Sequence, residues 1–121
     1  AEQADVERVV VERAVARLAG GGILVNSQLS AAEIRERHGL EVVAIPASRM
    51  AEEHLGRKLP NVALLAAFNA LTRLLPDAAL LEAIGERFRA KLHDQNLALA
   101  AAAAASVTPG LWKERARAAG A

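Results

Sequence analysis

Histidine is the residue type that most often serves as an acid, a base or a metal ligand near neutral pH. The sequence contains His38, His54 and His93. None of them has a second histidine or a cysteine at a metal-ligand spacing, and each stands beside a charged residue in the chain. This pattern predicts surface histidines rather than a metal site.

A run of glycines at positions 20–22 raises the question of a phosphate-binding loop. A dinucleotide fingerprint requires a strand, then G-x-G-x-x-G, then a helix. Here the glycines lie between a predicted helix and a predicted strand, which is the reverse order. The run is therefore interpreted as a helix end and turn, and we expect the isolated chain to bind neither NAD nor ATP.

Ser27 and Ser30 follow a predicted strand, a place where a nucleophilic serine can occur. No G-x-S-x-G elbow surrounds them, and Ser30 with Glu33 instead has the S-x-x-E spacing of a helix capping box. The acidic residues are scattered over predicted helix surfaces, and none are paired in an apolar setting as acid–base catalysis requires. The sequence therefore predicts no catalytic, cofactor-binding or metal-binding residue.

Two asparagines interrupt the most apolar segment, residues 61–75, which is predicted to be a helix buried on most sides. Burying an amide without a partner costs on the order of 1–3 kcal/mol. Asn61 can bond to backbone at the helix start, whereas Asn69 either lies at the solvent edge or meets a polar group, such as one on another chain. Asn61, Leu65 and Asn69 are our candidate interface residues.

The elements around these residues predict an α/β fold. Residues 4–18 have the apolar spacing of an amphipathic helix, and short apolar runs at 23–25 and 40–45 read as strands. The intervening dozen residues, with the capping box and Gly39, suit a parallel crossover better than a hairpin. We therefore predict a short parallel sheet containing residues near 23–26 and 41–45.

The C-terminal half is predicted to be helical. Ser48 can cap a short helix that ends at Gly56, Pro76 precedes a helix bearing Leu80, Leu81, Ile84 and Phe88, and six alanines follow at 100–105. Pro109 and Gly110 then break the pattern. The prediction is a single domain over residues 1–108, with a small parallel sheet and surrounding helices, followed by a basic tail at 109–121.

Composition limits the partners. The sequence is 53% hydrophobic but only 2% aromatic, and an alanine-rich core buries little area per residue, so we expect further burial against a partner. A net charge of +1 without a basic, aromatic-rich stripe argues against nucleic acid. No cysteine is present, and no apolar run reaches the length of a membrane span. We expect a cytoplasmic protein without membrane contact.

The order of these pieces resembles the gamma subunit of 2-oxoacid:ferredoxin oxidoreductases, the pyruvate synthase group. The matching segments run from about residue 4 to 105: the Gly-Gly-Ile-Leu-Val-Asn-Ser run at 21–27, the strand-to-helix passage at 44–56, the Asn-led helix at 61–67, the helix at 80–91, and the pair at 96–97. The family usually has glycine where this chain has Ala66. Its glycine-rich G-x-G-G-Q-G turn is absent here, so the resemblance covers the C-terminal portion of a Rossmann-like gamma domain.

The resemblance implies a structural, non-catalytic subunit of a complex that oxidatively decarboxylates a 2-oxo acid. Thiamine diphosphate, magnesium and iron–sulfur clusters would be held by partner subunits, none by this chain, and ferredoxin would accept the electrons. Only Asn61 corresponds to a family marker, as the start of its helix. Two alternatives remain: a helix-rich interaction or dimerisation module, and an independent small-ligand enzyme.

Overall fold

The computed structural model describes residues 14–18, 22–39 and 41–118. Three strands form one sheet in the order β1-β2-β3: β1 is Ala14–Leu18, β2 is Gly22–Asn26 and β3 is Val43–Ile45. Strands β2 and β3 are parallel, with Leu24 opposite Val43 and Asn26 opposite Ile45. The predicted parallel pair is confirmed, and so is the α/β class.

The N-terminal prediction is wrong where it can be compared. Residues 4–13 of the predicted helix lie outside the described residues, while Ala14–Leu18 is a strand that pairs antiparallel with β2. Leu18 stands opposite Gly22, so Gly22 begins a strand instead of ending a helix. Pairing along β2 gives these backbone groups ladder partners, and the sheet is consequently mixed.

Helix α1, Ala31–His38, connects the two parallel strands. Its start has the predicted capping box, in which the Ser30 side chain accepts from the Glu33 N–H, and its end has Gly39 in the left-handed region at φ 67°. Ile34 of α1 is fully buried against Val25 of β2, so α1 covers one face of the sheet. The βαβ unit is therefore set by local caps and one apolar contact across the sheet.

Five further helices follow: α2 is Ala47–Leu55, α3 is Asn61–Thr72, α4 is Asp77–Arg87, α5 is Lys91–Ala105 and α6 is Lys113–Ala118. They join Leu24 and Ile45 from the other face of the sheet in one core cluster. The pair α3 and α5 lies at its centre. Buried alanines fill much of this core, as the composition predicts: Ala47, Ala51, Ala63, Ala66, Ala67, Ala70, Ala100, Ala103 and Ala116.

The structure differs from the expectation of a basic tail after residue 108. Trp112 and Ala116 belong to the main core cluster and are only 3% and 1% exposed. The N–H of Gly110 donates to the Ala70 carbonyl oxygen at 2.8 Å, and the N–H of Trp112 donates to that of Leu71 at 2.8 Å. The segment therefore supplies hydrogen-bond donors to carbonyl groups that would otherwise lack a partner at the end of α3.

Among the described helices, none combines the length and the apolar content that crossing a bilayer would require.

Candidate subunit interface

Helix α3 has apolar residues in nearly every direction, and the fold buries most of them. Leu64 and Leu71 are at most 1% exposed, and the alanines between them are buried. The helix is thus buried on most sides, and its open side lies at Leu65, which is 49% exposed. The physical reason is that α4 packs mainly against α5, leaving the α3 side of α4 open.

A groove of about 320 Å³ lies between α3 and α4. Its walls are apolar side chains from both helices, and its two polar lining residues are an asparagine and an arginine. The lining comprises Asn61, Val62, Leu65, Ala83, Ile84, Arg87 and Phe88. Concave apolar surface with few polar groups is typical of a binding site rather than of ordinary solvent-facing surface.

Two of the three candidate interface residues line this groove. Asn61 is the exposed first residue of α3, and Leu65 lies one helical turn further along on the same side. Residues such as Ile84, Arg87 and Phe88 were not among the candidates. Ile84 and Phe88 were placed on one face of α4 by their spacing, but nothing local shows that this face opens toward Leu65.

Asn69 is not part of the groove. It is 4% exposed, its Nδ2 donates to the Leu75 carbonyl oxygen at 3.1 Å, and its Oδ1 accepts from the Leu75 N–H at 3.0 Å. Both ends of the amide are thus bonded to the loop that follows α3. The polar partner that Asn69 requires lies in its own chain, so an interface role for Asn69 is not needed to explain its burial.

A smaller groove of about 180 Å³ lies on the other side of α4, toward α5. Its lining is Ala66, Asp77, Leu80, Leu81, Ala100, Ala101 and Ala104. Leu81 at 40% exposure adds apolar surface there, while Asp77 is paired with Arg73 at 3.2 Å. Both sides of α4 therefore present apolar surface.

Polar side chains also meet at the carboxyl ends of the parallel strands, where α/β sheets commonly bind ligands. Asn26 at the end of β2 donates from Nδ2 to Ser48 Oγ at 2.8 Å, and its Oδ1 accepts from the Ser48 N–H at 3.2 Å. Pro46 is the N-cap residue of α2, so the prediction that Ser48 caps this helix is wrong. Asn26 supplies the capping acceptor from across the fold.

The two serines considered as nucleophiles have structural roles. Ser27 Oγ accepts from the Leu29 N–H at 3.0 Å in the turn after β2, and the Ser27 N–H donates to the Ile45 carbonyl oxygen at 2.9 Å. Ser30 caps α1 as predicted. Neither serine has a histidine as a hydrogen-bond partner among the contacts of the described residues.

The sequence predicted that the three histidines lie at the surface, and in the structure they are more buried than that. All are partly buried, with His54 Nδ1 at 2.9 Å from the Met50 carbonyl oxygen and His93 Nδ1 at 3.2 Å from Asp94. Both ring nitrogens of His38 are buried without a partner among the described residues. The three do not converge, and within the described residues no group of three His, Cys, Asp or Glu side chains is arranged to hold a metal.

Comparison with known proteins bears on this arrangement in three ways. The sequence model of the family described as Pyruvate ferredoxin/flavodoxin oxidoreductase matches residues 6–106. A search of curated proteins gives no match. Among solved structures, the chain is similar to the crystal structure of pyruvate oxidoreductase subunit PORC from Thermotoga maritima, with 23% identity and a TM-score of 0.63.

That structural match covers 70% of this chain and 49% of the Thermotoga subunit, so the chain spans about half the length of its relative. At this identity the likeness shows the fold. The family match covers most of the chain and confirms the resemblance found in its segments. The chain belongs to the pyruvate ferredoxin/flavodoxin oxidoreductase family.

Proposed function

We propose that this chain is a gamma-type, non-catalytic component of a 2-oxoacid:acceptor oxidoreductase complex, in which it supports assembly. The observation that carries the proposal is the family match over residues 6–106. The fold of a pyruvate oxidoreductase subunit supports it. The open apolar grooves beside α4 supply surface that an assembling subunit would cover.

In this proposal the chemistry belongs to partner subunits, which hold thiamine diphosphate, magnesium and iron–sulfur clusters. The sequence contains no cysteine, so it offers no thiolate to an iron–sulfur cluster. The candidate residues Asn61 and Leu65 belong to the interface in this account. Ferredoxin as electron acceptor and a cytoplasmic location are further parts of the proposal.

The test is affinity purification of the tagged chain from its native source, followed by assay of the eluate. We expect larger subunits, iron and thiamine diphosphate in the eluate, with reduction of a viologen dye by pyruvate or another 2-oxo acid. A chain recovered alone or as a homodimer, without iron or thiamine diphosphate, would favour the helix-rich dimerisation module instead.

A further inference from the structure

We propose that the groove between α3 and α4 is the docking site for an acidic, apolar segment of a partner subunit. This inference rests on the proposed function and adds to it the location of the contact and the chemistry of the occupant. The groove is open, about 320 Å³ in volume, and has Leu65 on one wall and Ile84 and Phe88 on the other. Such walls match leucine-sized side chains presented by a partner helix or loop.

Two exposed leucines neighbour the groove's lining residues in the chain, at the end of the groove where α3 begins. The loop that precedes α3 exposes Leu59 at 54%, and the first turn of α5 exposes Leu92 at 51%. These leucines stand close in sequence to the lining residues Asn61 and Phe88. Surface leucines scattered singly need no explanation, but a group around a concave groove indicates a contact surface.

The charge at this end of the groove selects the partner. Arg87 lines the groove, and among the described residues no carboxylate pairs with it. The segments that flank this end add further exposed cations: Arg57, Lys58, Arg89 and Lys91. The acidic residues close to these cations in the chain are Glu52, Glu53, Glu86 and Asp94. Glu52 lies 3.9 Å from Lys58, and Glu53 pairs with Arg49 at 3.3 Å. The carboxylates of Glu86 and Asp94 then remain beside four cations, those of Arg57, Arg87, Arg89 and Lys91. The imbalance favours carboxylates on the occupant.

A protein segment fits these observations better than a lipid surface or a nucleic acid. The apolar side chains line a concave groove, into which individual side chains can insert, with Arg87 in the lining and other exposed basic residues close to the lining residues in the chain. A membrane-binding helix would instead place its apolar residues along one convex face. Aromatic residues interleaved with basic ones, which nucleic-acid binding would favour, are limited here to Phe88.

The first test uses the complex that co-purifies with the full-length chain and a zero-length carbodiimide cross-linker, which joins lysine to carboxylate. The sequence has three lysines, of which Lys58 and Lys91 flank the groove and Lys113 begins α6. We expect cross-links from Lys58 or Lys91 to Asp or Glu of a larger subunit, with Lys113 as the internal control. Intersubunit cross-links from Lys113 alone would overturn the proposal.

The second test measures binding of purified variants to the other subunits of the complex, co-expressed without this chain. Arg87→Glu and Leu65→Ser should each weaken binding about tenfold or more, because the first reverses the charge at one end of the groove and the second removes apolar surface from its wall. Two matched controls should bind like wild type. Arg37→Glu reverses the charge of an exposed arginine in the last turn of α1. Leu111→Ser changes a leucine that is 53% exposed and is not part of the groove lining. Thermal melts of each isolated variant separate folding from binding.

The outcomes distinguish this inference from the proposed function. If no larger subunit co-purifies with the chain, the proposed function fails and this inference fails with it. If the complex forms but the two groove variants bind as tightly as the controls, only the docking site is overturned. Loss of binding to phosphatidylglycerol vesicles by Arg87→Glu, with subunit binding intact, would also overturn it in favour of a membrane surface.

Discussion

Two adjacent leucines of α3 differ sharply in exposure to solvent, and this difference marks the side of the helix that faces the groove. Leu64 is 1% exposed in the core while Leu65 is 49% exposed in the groove. Sequence patterning correctly marked the whole segment as apolar but gave no reason to separate the two. The difference in exposure depends on where α4 lies. Helix α4 packs mainly against α5, which begins about 26 residues after Leu65 in the chain.

Asn69 and Asn61 form a matched pair at the residue scale. Asn69→Ala should lower the free energy of unfolding by about 1–3 kcal/mol, because the Leu75 N–H and carbonyl lose a buried partner. Asn61→Ala, at an exposed position, should change it by about 0.5 kcal/mol or less. Urea denaturation followed by circular dichroism measures both. Equal effects of the two substitutions would show that the two hydrogen bonds of the Asn69 side chain do not contribute to the free energy of unfolding.

The elements show which signals are local. Ser30, Glu33 and Gly39 lie within one helix and its two ends, so their spacing alone predicted α1 correctly. The acceptor for the start of α2 comes from Asn26, 22 residues earlier, and no local pattern reveals such a bond. The strand β1 was likewise missed. Its residues fit either a helix or a strand, and only their hydrogen bonding to β2 makes them a strand.

Asn26 and Ser48 join β2 to α2, and their bond can be measured by a double-mutant cycle. Asn26→Ala, Ser48→Ala and the double variant should show a coupling of about 0.5–1.5 kcal/mol, since each single change removes the 2.8 Å side-chain bond. Asn26→Ala should be the more harmful single change, because it also removes the acceptor of the Ser48 N–H. Additive effects would contradict the proposed link between the elements.

Trp112 tests whether the segment after residue 108 is part of the folded domain. Trp112→Ala should destabilise the chain by about 3–5 kcal/mol, because the indole is buried and contacts Phe68 edge-on at a centroid distance of 6.3 Å. Leu111→Ala, next in sequence but 53% exposed, should have little effect. Thermal melts compare them. A Trp112→Ala variant that melts like wild type would show that this segment is a tail and does not stabilise the folded domain.

At the scale of the whole molecule, an alanine-rich core and exposed leucines together support the proposal that this chain gains burial from a partner. The sequence predicted this from composition, because alanine contributes little apolar area and only 2% of the residues are aromatic. The location of the open surface required the structure. The grooves on both sides of α4 are products of helix packing, which residue periodicity within single helices does not specify.

Leu64 and Leu65 separate folding from assembly. Leu64→Asp should unfold the chain, because burying an unpaired carboxylate costs several kcal/mol. Leu65→Asp should leave the isolated chain folded, since its side chain reaches water, yet should prevent incorporation into the complex. Circular dichroism of the isolated variants and size-exclusion chromatography with co-expressed subunits provide the two readings. A Leu65→Asp variant that assembles normally would remove this position from the interface.

Native mass spectrometry of the assembly isolated through a tag on this chain tests membership of an oxidoreductase complex most directly. The account predicts a hetero-oligomer in which this chain is accompanied by larger subunits carrying the added mass of thiamine diphosphate and iron–sulfur clusters. Dissociation in the gas phase should release this chain without bound cofactor. A spectrum that contains only the monomer or a homodimer of this chain would contradict the account.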